Sequence, residues 1–312
     1  MPVYNDMDVA SLLIKQLDDV LENQAVSTSI ILINDGSTDV IKDQYLTGLL
    51  KNITFIDVVN LERNIGHQRA IAVGLTKIYD EYPSDAVLVM DADGEDKPED
   101  IPRLIEAYKN LAGEKIVFAQ RRKRSESISF KIAYKIYQIV HFILTGIAVK
   151  VGNFSILPSR FLSNLVLVSE LWNHYAAAIF ISKLPFETLP TNRGKRLDNK
   201  SAMSFTSLII HGLSAISVFA NVVGVRLLLF SIFMFFITLA MLTVIILVKA
   251  TSLILIPSWL FLSIIFFLFF LLLMTIGCFA MVFIILMSRY NLSFIPKRDC
   301  KQYIGTTKRI YG

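Results

Sequence analysis

Apolar positions divide this chain into two regimes. Through the first two hundred residues, short apolar runs alternate with stretches of helical spacing. The runs at 29–33, 53–59, 86–90 and 115–119 are rich in Ile and Val and predict strands. The first of them ends at Asn34-Asp35-Gly36-Ser37, a turn sequence. Between the strands, Val9, Leu12, Leu13, Leu17, Val20 and Leu21 recur at three and four residues and predict a helix over 8–22. Further helices are predicted over 67–79 and over 98–111, with Pro98 in the first turn; Asp39 can cap another running to residue 50. This β–α order predicts an α/β fold with a doubly wound, mainly parallel sheet, whose ligands bind beyond the carboxyl ends of the strands.

The second regime is longer-range. Residues 128–150 place Ile128, Ile132, Ile136, Ile139, Val140 and Ile143 at helical spacing, with Lys131, Tyr134 and Lys135 between them. That stretch reads equally as a helix lying in a membrane interface or as an ordinary core-facing helix. Residues 203–226 form a second amphipathic stretch, for which the interfacial reading is favoured. Then no charged residue occurs from 227 to 248, nor from 250 to 288. The first run is roughly 33 Å long as a helix, enough to cross a ~30 Å hydrocarbon core. Pro257 and Trp259 mark the start of the second.

Composition and charge sharpen this picture. The chain has 312 residues, 54% of them hydrophobic, and a mean hydropathy of +0.55, which fits a membrane hairpin better than a soluble core. Arg289, Lys297, Arg298, Lys301, Lys308 and Arg309 follow the second run, so the positive-inside rule puts the tail in the cytoplasm, and a two-span hairpin puts the large N-terminal region there too. The first residues lack a basic segment followed by an apolar one, so no signal peptide is expected. Cys278 lies in a membrane run and Cys300 in the tail, which implies no disulfide framework. The net charge of +5 is modest, and its basic clusters at 121–124, 193–200 and the tail suit phosphates or anionic headgroups rather than nucleic acid.

The candidate chemistry centres on Val87-Leu88-Val89-Met90-Asp91-Ala92-Asp93-Gly94-Glu95-Asp96. A strand ending on two carboxylates at i and i+2 directs both side chains the same way in extended chain, and paired hard oxygens suit Mg²⁺ or Mn²⁺. The same residues also read as a strand followed by an acidic turn. A lipid phosphate meeting such a site at a membrane surface needs cationic partners. Arg121, Arg122 and Arg124, directly after a strand, are candidates for the acceptor phosphate, the donor phosphates or headgroups.

Four segments in order, Pro2-Val3-Tyr4-Asn5-Asp6, Asn34-Asp35-Gly36-Ser37-Thr38-Asp39, Asn64-Ile65-Gly66-His67-Gln68-Arg69-Ala70 and Met90-Asp91-Ala92-Asp93-Gly94-Glu95-Asp96, resemble the family 2 inverting glycosyltransferases of GT-A fold. With the two C-terminal spans, the chain resembles the bacterial branch related to dolichol-phosphate mannosyltransferase, which includes polyprenyl-phosphate glucosyltransferases. The resemblance implies a Rossmann-like nucleotide-sugar domain over 1–202, a juxtamembrane helix over 203–226, two membrane helices within 227–288 and a basic cytoplasmic tail over 289–312. It implies that Asp35 accepts a hydrogen bond from the nucleobase, with Pro2, Tyr4 and Asp6 bordering that pocket. It implies that Asp91 and Asp93 hold Mg²⁺ or Mn²⁺ against the donor diphosphate. Asp96 either faces the sugar or is a turn carboxylate or helix cap. Arg193 and Ser201 match residues that close over the donor phosphates, while Asn64, Gly66 and Ala70 are expected to be structural. Asn153 stands where the branch usually has Asp, and Asn cannot take a proton at neutral pH, which suits an acceptor already ionised. The family's first strand is expected ahead of Pro2, so either the start lies upstream, which is favoured, or the sheet is rearranged.

The implied function is transfer of a sugar from a nucleotide sugar, a UDP-sugar being favoured, to undecaprenyl phosphate at the bacterial inner membrane, with oligomeric state open. A transferase acting on a saccharide hydroxyl and a catalytically decayed membrane scaffold are the alternatives. The Gln-x-x-Arg-Trp motif of processive synthases is missing, the only tryptophans being Trp172 and Trp259.

Overall fold

The computed structural model describes residues 1–38, 50–121, 128–148, 151–192, 194, 212–251, 257–288 and 293–312. They fall into two compact units, one of residues 1–135, 149–218 and 294–312, the other of residues 136–148 and 219–293.

In the first unit the apolar runs become strands β1 (Pro2–Val3), β2 (Thr28–Asn34), β3 (Ile53–Leu61), β4 (Ala86–Val89), β5 (Ile116–Arg121), β6 (Ser155–Pro158), β7 (Phe186–Thr191) and β8 (Ile304–Tyr311). Helix α1 (Met7–Leu21) buries Ala10, Leu13, Ile14, Leu17 and Leu21 on one face, as their spacing requires, and leaves Leu12 exposed. Helix α2 (His67–Glu81) buries Ala70, Ile71, Ala72, Val73 and Leu75 with hardly a polar face at its centre, and Gly74 lets it approach Ile33 of β2 closely. Helix α3 (Ile101–Asn110) follows a short turn begun by Pro98.

The expected single, mainly parallel sheet is instead two mixed sheets of four strands, ordered β1-β2-β3-β8 and β4-β6-β5-β7. Strands β1, β2 and β3 are parallel, and β8 closes that sheet antiparallel to β3. In the other, β6 lies antiparallel to both β4 and β5, and the long helix α4 (Ile128–Thr145) precedes it in the chain. The carboxyl ends of β2 and β4 carry Asp35 and Asp91, as the α/β pattern predicts.

The tail expected over 289–312 is a working part of this unit from residue 294. Phe294 stacks on Trp172 with ring centroids 4.0 Å apart, Cys300 is fully buried in the core, and burial pushes its thiol up to about 12. Arg309 of β8 donates from Nε and Nη2 to the Asp57 carboxylate at 2.8 and 3.1 Å, and Tyr82 donates to the same group at 2.7 Å. The Arg309 hydrogen bonds hold the Asp57 carboxyl below the usual carboxylate range, outweighing its burial. The sign follows directly. A lowered folded pKa contributes stability that is complete above the unfolded pKa of about 4 and is lost as pH falls through the folded value. Asp57→Asn is therefore expected to lower the thermal midpoint at pH 7, and the gap to the parent should close below about pH 4. A gap that persists unchanged at low pH would mean the ion pair is not its cause.

The second unit holds the carboxyl half of α4 and two long helices, α5 (Ala220–Thr251) and α6 (Ser258–Ser288). Two segments, Ala220–Val248 and Leu262–Ile284, are long and apolar enough to cross a membrane. The first is helical from residue 220, after a turn at 218–219, so the expected boundary at 227 falls inside the helix. Arg226 donates to the Ile143 carbonyl at 2.7 Å, satisfying an orphan acceptor at the end of α4. Ile136, Ile139, Phe142 and Ile143 of α4 are exposed, so of its two sequence readings the core-facing one does not hold for this half.

Candidate functional site

Strand β4 ends at Val89, and the next residues turn instead of continuing extended. Gly94 has φ +80°, a conformation open to glycine at little cost. Asp93 Oδ1 accepts from the Glu95 N–H at 2.9 Å, and Asp96 Oδ2 accepts from the Asp91 N–H at 3.0 Å. The i, i+2 argument from extended chain thus does not describe Asp91 and Asp93; an acidic turn brings them to the same end of the strand. Asp96 is buried at 2% exposure and folds back on Asp91, and no side-chain cap is made on the turn that Pro98 begins.

Beyond β2 a second turn is pinned to its neighbours. Asp35, 2% exposed, accepts the N–H of Ile65 at 2.7 Å on Oδ1 and of Gly66 at 2.9 Å on Oδ2. Burial raises its pKa, against the lowering effect of those two bonds and of His67 and Arg69. Gly36 has φ +67°, and a Cβ there would lie 2.4 Å from the Asn64 nitrogen. Asn5, at φ +53°, donates its N–H to Ser37 Oγ and accepts from the Thr38 N–H, each at 2.9 Å. These bonds draw the β1 and β2 ends together and leave Tyr4 half-exposed beside them. Pro2 is a buried strand residue, and Asp6 is the residue preceding α1.

The third element is the amino end of α2. His67 Nε2 stands 3.1 Å from Asp91 Oδ1. Burial disfavours its protonated form, but Asp91, Asp93 and Asp96 outweigh that, and the imidazole pKa lies above its ordinary value. Asn153 Nδ2 lies 3.0 Å from the same nitrogen, and Gln68 Nε2 donates to Asn153 Oδ1 at 3.1 Å. Sequence reasoning treated this segment as structural and passed over His67 and Gln68. A signal was available: His67, Gln68 and Arg69 open the helix as a polar run directly ahead of the apolar stretch from Ala70 to Leu75.

The basic candidates divide differently. Arg122, Arg124, Arg193 and Ser201, together with the Arg121 side chain, lie outside the described residues. Gly194 N–H donates to the Glu95 carbonyl at 2.8 Å, and a Cβ on Gly194 would stand 2.4 Å from the Gly94 carbonyl oxygen. The chain leaving β7 is thus fastened to the acidic turn. Among the described residues, no three His, Cys, Asp or Glu side chains converge on one point.

Residues 1–164 match the model of the glycosyl transferase family 2. Similar proteins include the uncharacterized glycosyltransferase YkcC of Bacillus subtilis, 33% identical over 42% of this chain and 38% of its own length. The bactoprenol glucosyl transferase of Shigella phage SfX is 30% identical over 54% of each chain. The undecaprenyl-phosphate 4-deoxy-4-formamido-L-arabinose transferase of Salmonella choleraesuis is 30% identical over 47% of this chain and 43% of its own. The chain thus spans about half the length of the curated relatives it matches, or less. The family match covers more than half of the chain, including the ends of β1, β2 and β4 and the start of α2, and the chain belongs to glycosyl transferase family 2.

Proposed function

We propose that this protein is a membrane-bound inverting glycosyltransferase that moves a sugar from a nucleotide sugar, a UDP-sugar by preference, to a polyprenyl phosphate of the undecaprenyl type. The observation that carries the reading is that one segment joins Asp35 to Asp91, Asp35 accepting the Ile65 and Gly66 N–H groups and Asp91 meeting His67, in a chain that also bears a two-helix apolar hairpin. Two of the similar proteins are named for transfer to bactoprenol or undecaprenyl phosphate, which supports the acceptor class. In this reading Asp35, already holding the Ile65–Gly66 turn, keeps second lone pairs on its carboxylate oxygens for a base N–H, beside Tyr4. Pro2 and Asp6 border that pocket through the backbone around it.

The donor set fits a divalent cation. Mg²⁺ and Mn²⁺ are held by one or two carboxylates, with phosphates and water completing the shell, so two carboxylates on one turn, Asp91 and Asp93, suffice without a third. When bound, Mg²⁺ or Mn²⁺ would neutralise charge on the departing diphosphate. Asp96 holds the turn through the Asp91 N–H. Arg121, Arg122, Arg124, Arg193 and Ser201 are assigned to donor and acceptor phosphates on sequence grounds. An acceptor phosphate oxygen is ionised at neutral pH and attacks the anomeric carbon without a base, which agrees with Asn at 153 in place of a carboxylate.

Residues on either side of the hairpin belong to one compact unit, which supports an even number of crossings, and the basic residues after the second span favour the cytoplasmic side. The test is a donor screen on membranes carrying the full chain, with labelled nucleotide sugars, added undecaprenyl phosphate and thin-layer separation of lipid products. A labelled lipid that depends on the added acceptor is expected. Label in polysaccharide alone would favour the hydroxyl-acceptor alternative.

A further inference from the structure

The ring of His67 is held by a chain of amides whose direction is set at one end. The backbone N–H of Tyr175 donates to Gln68 Oε1 at 2.8 Å. A backbone N–H can only donate, so the Gln68 amide has one orientation, and its Nε2 is the donor to Asn153 Oδ1 at 3.1 Å. That bond orients Asn153 in turn, and its Nδ2 faces His67 Nε2 at 3.0 Å. The anchor is firm: Gln68 is buried at 8% exposure, and the fully buried Tyr175 shares a 2.8 Å hydrogen bond with Ser155.

His67 Nε2 therefore meets two neighbours with opposite demands. Asn153 Nδ2 is a donor and calls for a lone pair. Asp91 Oδ1, 3.1 Å away, is an acceptor and calls for a proton. One ring nitrogen cannot meet both, whereas a cation shared by the nitrogen and the carboxylate suits both of those atoms and frees Asn153 Nδ2 to donate elsewhere. The spacing fits as well: around an octahedral ion with bonds near 2.1 Å, adjacent ligand atoms stand about 3.0 Å apart.

We propose that His67 is, with Asp91, a protein ligand of the divalent cation, that Gln68 and Asn153 are positioning residues that hold its ring beside Asp91 until the ion takes Nε2, and that the imidazole nitrogen biases the site toward Mn²⁺ over Mg²⁺. The bias follows from ligand chemistry, because carboxylate, phosphate and water suit Mg²⁺ while imidazole favours transition metals. The proposal rests on the reading that the acidic turn takes a cation.

The experiment uses the full chain in detergent micelles with Mn²⁺ alone and then with Mn²⁺ and UDP, read by pulsed electron paramagnetic resonance. Bound Mn²⁺ is expected to show ¹⁴N modulation that changes to that of ¹⁵N when histidine is isotopically labelled. His67→Gln should remove the modulation, weaken Mn²⁺ about tenfold or more, and weaken Mg²⁺ far less. Asn153→Ala should keep the modulation, because Asn153 gives up Nε2 when the ion binds. The labelled parent protein needs no substitution, so a misfolded variant does not blunt the test. Mn²⁺ bound without any nitrogen modulation overturns the proposal and leaves the cation reading standing. No Mn²⁺ bound in either condition overturns both.

Discussion

Replacing Asp91 and Asp93 together with Asn is expected to abolish sugar transfer while the protein stays folded and in the membrane. Both side chains sit on a turn after β4, where β4 and the Asp96–Asp91 bond hold the backbone independently of their charge. Asn is nearly isosteric, and Asp93 Oδ1 accepts the Glu95 N–H, a bond an amide oxygen can keep. What is lost is two negative charges. Charge stabilisation by a metal is worth several kcal/mol in the transition state, and each 1.36 kcal/mol is tenfold in rate, so the rate should fall by at least about 10²–10³-fold. The measurement is labelled lipid product per unit of protein, with thermal unfolding as the folding control. Unimpaired transfer by the double variant would end the metal-assisted reading.

Ending the chain after Ser293 is expected to prevent the first unit from folding, although every residue of the acidic turn would remain. The loss removes all of β8, whose pairing runs from Ile56↔Tyr311 to Leu61↔Ile304, and leaves the β3 edge bare. It also removes Cys300 from the core and Phe294 from its stack on Trp172. A domain is stable by only about 5–15 kcal/mol, and loss of an eight-residue strand with its core contacts exceeds that margin. The expected readout is poor accumulation in membranes and rapid proteolysis of what is made. A milder companion, Trp172→Ala, should cost about 3–5 kcal/mol and leave a folded protein with a lowered thermal midpoint. A truncated chain that resists protease as well as the parent would show β8 to be dispensable.

The two expectations mark where sequence and structure part. The strands at 28–34, 53–61, 86–89 and 116–121 and the helices at 7–21 and 67–81 were visible because each buries a face whose period is local. The hairpin was visible for the same reason, since an uncharged run long enough to cross a bilayer carries its own signal. Asp35 and Asp91 were found because the α/β order places strand ends at a ligand crevice.

Long-range pairing was not visible. β8 reads Ile-Gly-Thr-Thr-Lys-Arg-Ile-Tyr, a basic and largely polar segment. Only its register against β3, with Arg309 on Asp57, makes it a strand. Ser155–Pro158 is four residues with no alternation, and only β4 and β5 on its two sides define it. The role of His67 was hidden similarly: an imidazole at the start of a helix is ambiguous until Asn153 and Asp91, distant in sequence, are brought to the same nitrogen.

The sequence by itself determined the alternation of elements, the family, the acidic turn and the apolar hairpin, because hydrophobic period, turn chemistry and span length are properties of neighbouring residues. Tertiary structure alone decided that the strands form two mixed sheets, that β8 belongs to the first unit, and that Gln68 and Asn153 hold His67 beside Asp91. Those outcomes depend on which distant backbone edges and side chains meet, and no local pattern encodes a partner.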